Sequence, residues 1–225
     1  MSFYECLSVF PEGASSASRM ALTAKALGYQ GIIICNHDPG RIFMPQAAEK
    51  IKGIEVVMGA EVTASGSKAL KSRISALRAR YPFIMVRAGS EEIVRVASED
   101  PNVDLLIHPC DFRRPFTIAS ARAAKLNQIC IGFDLSGLVH LRGSSRSRWL
   151  GALRRNLQLV RKFELHPVIT ASATSHLDLH TPRDLMAMAE VAGFEPDEAK
   201  EALRRTGMLL ELNRRNWVGP GVELL

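Results

Sequence analysis

The 225-residue sequence lacks the marks of several protein classes. No apolar run approaches the roughly 18 residues of a membrane span, and the first residues, Met1 to Glu5, carry no basic stretch. We therefore expect neither membrane insertion nor secretion, and a cytoplasmic location. Neither a Gly-x-Gly-x-x-Gly fingerprint nor a P-loop is present, which disfavours the common nucleotide-binding folds. No linker or low-complexity segment interrupts the chain, which predicts a single domain over residues 1–225.

Cysteine is scarce and widely spaced. The four cysteines are Cys6, Cys35, Cys110 and Cys130, and no two form a Cys-x-x-Cys pair. A zinc site built from them is disfavoured, and none has a recognisable partner for nucleophilic catalysis. We expect reduced thiols that pack as small core residues.

Short apolar runs recur along the chain with helical patterns between them. The predicted strands are Phe3–Phe10, Gly31–Cys35, Ile54–Gly59, Phe83–Val86, Val103–Ile107, Ile129–Phe133, Pro167–Ala171 and, more weakly, Met208–Leu212. Buried strands that alternate with helices indicate βαβ units and a parallel sheet. We predict an α/β fold, a compact TIM-barrel-like (β/α) barrel of seven or eight parallel strands. A six-stranded open sheet with extra elements is the alternative.

Polar side chains of the kind that bind metals follow several predicted strands. The candidates are His37, Asp38, Glu61 and His108. With His108-Pro109 they resemble parts of the polymerase-and-histidinol-phosphatase family, a barrel of metal hydrolases that begins with a His-x-His pair. Here the first strand reads Glu5-Cys6-Leu7, and Ala173-Thr174-Ser175-His176 replaces the late Asp-x-His. We therefore expect a related barrel that binds no metal and has no active site of its own, with these four residues as a degenerate remnant.

Positive charge is concentrated in two stretches. The chain has 29 Lys and Arg against 23 Asp and Glu, a net charge of +6. Residues 135–163 contain seven bases and no acid, and residues 62–90 contain six bases and no acid, which leaves 16 bases against 23 acids elsewhere. Such a distribution indicates surfaces that meet a polyanion.

The larger stretch joins a Gly/Ser/Arg loop to a helix. Leu150, Leu153 and Leu157 recur at helical spacing on its buried face. Guanidinium groups, hydroxyls and helix N-terminal amides come together at residues 142–148, a combination suited to phosphate oxygens. Trp149 lies at the same helical spacing, so we expect it to pack in the core instead of stacking on a base.

Four short motifs between residues 141 and 185 resemble those of a known family. The motifs are Leu-Arg-Gly-Ser-Ser-Arg-Ser-Arg at residues 141–148, Leu-Arg-Arg-Asn-Leu at 153–157, Pro-Val-Ile-Thr at 167–170 and Thr-Pro-Arg-Asp-Leu at 181–185. They are similar to those of the ribonuclease P protein component 3 family, the TIM-barrel-like protein subunits of archaeal ribonuclease P, and the resemblance is strongest from Asp134 to Asn213.

The resemblance implies a protein subunit of the ribonucleoprotein that removes the 5′ leader of precursor tRNA. The RNA subunit would carry out this cleavage with Mg²⁺, and the chain itself would bind no cofactor. The implied partners are the ribonuclease P RNA, protein component 2, other protein subunits and, indirectly, precursor tRNA.

Two sets of candidate RNA-facing residues follow. The first comprises Arg142, Ser144, Ser145, Arg146, Arg148, Arg154, Arg155, Arg161 and Arg183. The second, a separate basic surface that meets RNA or a partner protein, comprises Lys68, Lys71, Arg73, Arg78 and Arg80.

Two alternative functions stay open: a metal-dependent phosphoesterase, and a scaffold whose basic helices bind an acidic protein.

Overall fold

The computed structural model describes residues 2–42, 51–107, 116–215, 217–219 and 222–223. Ten strands lie within these ranges, eight of them in two parallel sheets. They are β1 Tyr4–Leu7, β2 Gly31–Ile34, β3 Glu55–Met58, β4 Ala60–Val62, β5 Ile84–Arg87, β6 Leu105–Ile107, β7 Cys130–Asp134, β8 Pro167–Thr170, and the antiparallel pair β9 Trp217–Gly219 and β10 Val222–Glu223. The predicted α/β class with parallel strands is confirmed.

The two sheets meet at Gly59, between β3 and β4. One sheet has the order β1-β2-β3 and the other β4-β5-β6-β7-β8. The amide of Gly59 donates to Ile34 O at 2.9 Å, and the next amide, of Ala60, donates to Phe83 O at 2.9 Å. A Cβ at position 59 would lie 3.0 Å from Phe83 O, so glycine suits this crossing. β3 and β4 are therefore consecutive parts of one extended segment, in which β3 pairs with β2 in the first sheet and β4 pairs with β5 in the second.

The other ends of the sheets, β1 and β8, meet through few contacts. Leu7 forms an isolated parallel bridge with Ala173, and the Ser8 amide donates to Ala173 O at 3.0 Å. If β3 and β4 are counted as one strand, seven parallel strands are connected at Gly59 and between β1 and β8, which is compatible with the predicted barrel.

Eight α-helices lie within the described ranges. They are α1 Ala17–Ala26, α2 Ser67–Arg78, α3 Glu91–Glu99, α4 Ile118–Leu126, α5 Ser136–His140, α6 Gly143–Lys162, α7 Pro182–Ala192 and α8 Pro196–Arg214, together with a 3₁₀ turn at Pro39–Arg41. The start of α7 is fixed by a reciprocal capping box between Thr181 and Asp184. None of the described helices combines the length and apolarity that crossing a membrane requires.

The last helix, α8, corrects one strand prediction. Met208–Leu212 lies within α8 and not in an eighth strand. Leu210 is buried with the side chains that fill the space enclosed by the strands, such as Phe83 and Leu105. Asn213 Nδ2 donates to Asp104 Oδ1 at 2.8 Å and to Pro82 O at 2.9 Å, just before β6 and β5. The helix therefore covers the amino-terminal ends of the strands.

The described cysteines are core residues. Cys6, Cys35 and Cys130 are buried free thiols inside the strand cluster. Burial raises the pKa of the Cys130 thiol to about 12. The thiolate is disfavoured there, as the sequence predicts for a structural cysteine. Cys110 lies outside the described residues.

Candidate nucleic-acid interface and strand-end pocket

The basic helix α6 is anchored to the end of strand β7. Trp149 Nε1 donates to Asp134 O at 2.9 Å, and Leu153, Leu157 and Val160 are buried. The expectation that Trp149 packs against the core is confirmed, since its half-buried ring lies against Gly137. This anchoring directs the polar face of α6 and the residues that precede it towards solvent.

Several of the predicted arginines are exposed with unused donors. Arg142 and Arg155 of the α6 segment and Arg183 of α7 are exposed, and their guanidinium groups have no hydrogen bond or ion pair to any described residue. Arg146 Nε donates to Leu141 O at 2.6 Å, which holds the guanidinium while both Nη groups stay unpaired within the described ranges. Ser144 is exposed and Ser145 half-buried. This end of α6 can therefore offer several donors to phosphate oxygens.

Other predicted arginines of the same set are used within the protein. Arg154 Nη2 donates to Val191 O at 3.0 Å. Arg161 Nη2 donates to Gly193 O at 2.9 Å and to Glu198 Oε2 at 2.7 Å. Arg148 Nη2 lies 3.3 Å from Ser145 Oγ. Arg161 thus holds the junction of α7 and α8, so the exposed cationic surface of this segment centres on Arg142, Arg146 and Arg155.

One residue predicted for the second basic surface, Arg78, is not exposed. Lys68 and Lys71 are exposed on α2, and Arg80 lies over the Tyr81 ring at 5.8 Å. Arg73 Nη2 donates to His37 O at 3.0 Å. Arg78, by contrast, is half-buried and pairs with Asp104 at 2.6 Å beneath the strands. It stabilises the fold at that end and is not part of this surface.

A pocket of about 300 Å³ lies at the carboxyl ends of the strands. Arg87, the last residue of β5, lies between two carboxylates in it. Its Nε is 2.5 Å from Glu61 Oε1 and its Nη1 is 3.4 Å from Asp134 Oδ2. Glu61 and Asp134 are both buried. The guanidinium therefore supplies the positive charge that these two strand-end carboxylates require.

His37 lies beside this cluster, whereas Asp38 faces away. His37 Nε2 is 3.3 Å from Glu61 Oε1 and its Nδ1 is 2.7 Å from Glu12 Oε2. The hydrogen bond to Glu61 raises the pKa of His37, and Glu12 adds to that effect. Burial alone would raise the pKa of Glu61, but the hydrogen bonds from His37 and Arg87 outweigh it, and that pKa lies below its usual value. Asp38 is exposed and pairs with Arg41, and His108 lies outside the described residues.

Glu5 is held at the seam between β1 and β8. Its Oε1 accepts the Thr170 hydroxyl at 2.5 Å and the Ala171 amide at 2.8 Å, whereas its Oε2 has no partner among the described residues. Burial raises the pKa of this carboxyl to about 8. The residue that replaces the first-strand histidines thus joins two strands.

The sequence does not predict the roles of three residues in this region: Arg87, Glu12 and Glu5, which joins β1 to β8. In the sequence, Arg87 is one of six bases in the acid-free stretch at 62–90. A positional signal was present, because Arg87 directly follows an apolar strand in the same way as Glu61 and Asp134. No local pattern marks Glu12, which reaches His37 across 25 residues of sequence.

The fold first defines a broad structural class, that of α/β proteins with a barrel-like arrangement of parallel strands. The histidinol phosphate phosphatase of Lactococcus lactis, solved with zinc, L-histidinol and phosphate, superposes with a TM-score of 0.52 and 15% identity over 86% of this chain and 94% of that one. At this identity the likeness shows the fold alone.

The particular family follows from closer matches. The model of the family RNase P subunit p30 matches residues 5–217. The chain is 35% identical to ribonuclease P protein component 3 of Methanosarcina mazei over 97% of its own length and 92% of that protein. A chain in the cryo-EM structure of archaeal ribonuclease P with mature tRNA superposes with a TM-score of 0.79 and 23% identity, over 98% of both chains. The protein belongs to the RNase P subunit p30 family.

This membership confirms the prediction of a ribonuclease P protein subunit over the alternative of a phosphoesterase. Those strand-end residues that the structure describes also do not fit the metal that the phosphatase fold implies. No group of three or more His, Cys, Asp or Glu in the described part of the chain is arranged to hold a metal ion. Glu61 and Asp134 face the Arg87 guanidinium, which repels a second cation from the same oxygens.

Proposed function

We propose that this chain binds the RNA of ribonuclease P and, together with protein component 2, stabilises the fold in which that RNA removes the 5′ leader of precursor tRNA. Membership of the p30 family supports the assignment to the enzyme. The fold shared with a chain of the archaeal ribonuclease P assembly with mature tRNA supports an RNA-bound setting.

Three arginines of the α6 segment carry the proposal. Arg142 at the N-cap and Arg146 and Arg155 within the helix are exposed, with guanidinium donors that no described residue uses. Each guanidinium that pairs with a phosphate neutralises its charge, which lowers the repulsion between packed RNA helices. The condensed counterions released at the same time make the binding strongly salt-dependent. Arginine forks read phosphates and 2′-hydroxyls without reading a base sequence, which suits a protein that stabilises an RNA fold.

The strand-end pocket supports a division of labour within the enzyme. Arg87 engages both Glu61 and Asp134, the carboxylates best placed for chemistry on this chain. We assign cleavage, and the Mg²⁺ that it needs, to the RNA subunit, with no cofactor on this chain. Its own surfaces then contribute binding energy and RNA conformation.

The second basic surface is assigned to a separate contact. Lys68 and Lys71 lie on α2, whereas the arginines of α6 follow β7 on the other side of β5 and β6. One surface is proposed to face RNA and the other component 2 or another protein subunit. We propose a cytoplasmic location, where tRNA precursors are processed.

Cleavage of precursor tRNA at low Mg²⁺ tests this function. The RNA subunit is assayed alone, with this chain and component 2, and with the triple variant R142A/R146A/R155A. We expect wild-type protein to lower the Mg²⁺ requirement and the triple variant to lose most of that effect. A control, R19A/K52A/R122A, removes the same charge from exposed residues elsewhere. Equal stimulation by all three proteins would contradict the assignment.

A further inference from the structure

A groove of about 430 Å³ opens beside the exposed arginines of α6. Its floor is apolar and consists of Leu138 of α5, Leu150 of α6, and Met188 and Val191 of α7. Arg146 and Ser147 form its polar rim. The groove is separate from the strand-end pocket and shares none of its lining residues.

The floor is the uncovered margin of the main core. Leu138, Leu150 and Met188 are half-buried and pack against the core cluster, and Val191 is 57% exposed. Exposed apolar surface costs roughly 25 cal/mol per Å² relative to burial, so a ligand with a flat apolar face gains by covering it.

The rim favours an anionic ligand. Arg146 is held at the groove by its bond from Nε to Leu141 O, and its Nη groups have no partner in the described ranges. Arg142, the N-cap residue of the same helix, is exposed, and its guanidinium is also unpaired among the described residues. The residues that line the groove include one cation and no carboxylate.

We propose that this groove takes one unpaired nucleobase of the bound RNA, with Arg146 and Arg142 on the adjacent phosphates. A nucleobase offers two flat apolar faces and is attached to an anionic backbone, which matches an apolar floor with a cationic rim. A partner protein would need a carboxylate placed beside its apolar side chain to match both features, whereas every nucleotide carries an apolar face and an anion together. The proposal rests on the RNA-binding function and adds that part of the recognised RNA is single-stranded.

Binding of short RNAs to the full chain tests the groove. Fluorescence anisotropy compares a labelled 12-nucleotide single strand with the same strand annealed to its complement. We expect the wild type to prefer the single strand. V191S, which makes the floor polar, and S147W, which fills the groove, are each expected to weaken single-strand binding at least about fivefold and to leave duplex binding unchanged. Val191 and Ser147 are exposed, and L126S serves as the matched control on the 83% exposed Leu126.

Salt titration separates this proposal from the proposed function. Removal of a base contact leaves the slope of log K against log salt unchanged, whereas R142A/R146A reduces its magnitude by about 0.7 for each phosphate that the protein no longer neutralises. If R142A/R146A weakens binding but V191S and S147W do not, the base groove is wrong and RNA binding stands. If none of the variants matters, both fail. If V191S instead weakens binding to component 2 without RNA, the groove is a protein interface and the proposal is overturned.

Discussion

The indole of Trp149 lies directly against Gly137, so that a Cβ at position 137 would be 2.5 Å from its Cδ2 and Cε2 atoms. The same indole donates to Asp134 O at the end of β7. One side chain therefore joins the strand end, the short helix α5 and the basic helix α6. The placement of the exposed arginines depends on this contact.

Replacing Gly137 by alanine is expected to destabilise this junction. The added methyl forces the indole away from its site, at a cost of about 1–3 kcal/mol in unfolding free energy. Urea denaturation followed by tryptophan fluorescence measures it. Gly151 within α6 is the control, because a Cβ there meets only Arg155 Nη1 at 3.7 Å and alanine is expected to stabilise the helix by up to about 1 kcal/mol. Equal stability of G137A and wild type would contradict the packing.

Loss of Arg87 is expected to leave two buried carboxylates without their cation. For R87M we predict a loss of about 2–3 kcal/mol, less than for a fully buried pair because a third of the Arg87 side chain is exposed. Adding E61Q should recover part of this loss, since it removes one of the unpaired charges. A double-mutant cycle of urea midpoints measures the coupling. Strictly additive effects would show that the pair contributes nothing.

The buried carboxyl of Glu5 is expected to make stability fall as pH rises. Its pKa of about 8 lies above the ordinary value of 4.5, so between these two values the folded state keeps a proton that the unfolded state has released. The destabilisation grows from pH 4.5 and levels off above pH 8, reaching on the order of 3 kcal/mol near pH 7. E5Q, which imitates the protonated acid, should raise Tm at pH 8 and change it little at pH 5. The same shift in Tm at both pH values would refute this assignment.

Substitutions of two arginines in α6 are expected to have opposite effects: one should change stability and the other the salt dependence of RNA binding. Arg161 pairs with Glu198 and Gly193 O, so R161A should lower the unfolding free energy by about 1 kcal/mol and leave the salt slope of RNA binding unchanged. Arg155 has no partner among the described residues, so R155A should leave stability unchanged and lower the magnitude of that slope by about 1. Thermal denaturation and filter binding of both variants check the contrast. The reverse assignment of effects would contradict the structure.

The sequence predicts the fold well because buried parallel strands are continuous apolar runs. Gly31–Ile34 and Pro167–Thr170 fall within predicted runs. The prediction of a strand at Met208–Leu212 is wrong because a short apolar run does not distinguish a strand from a helix. The helical stripe becomes visible only when Leu203, Thr206 and Leu210 are read together.

The site is less predictable because partners come from distant parts of the chain. The charge distribution locates the basic helix correctly. It does not show that Arg78 reaches Asp104, or that Arg161 reaches Glu198 across 37 positions. Net charge counts every arginine alike, whereas the tertiary contacts decide which guanidinium groups keep unused donors at the surface.

The salt dependence of binding to ribonuclease P RNA tests most directly whether Arg142, Arg146 and Arg155 meet phosphates. Dissociation constants are measured by filter binding, with component 2 present, for wild type, R142A/R146A/R155A and the charge-matched R19A/K52A/R122A. We predict that the first variant binds more weakly and loses about 2–3 from the magnitude of the slope of log K against log salt, while the control keeps the wild-type slope. Identical slopes for all three proteins would contradict the assignment of these three arginines to RNA.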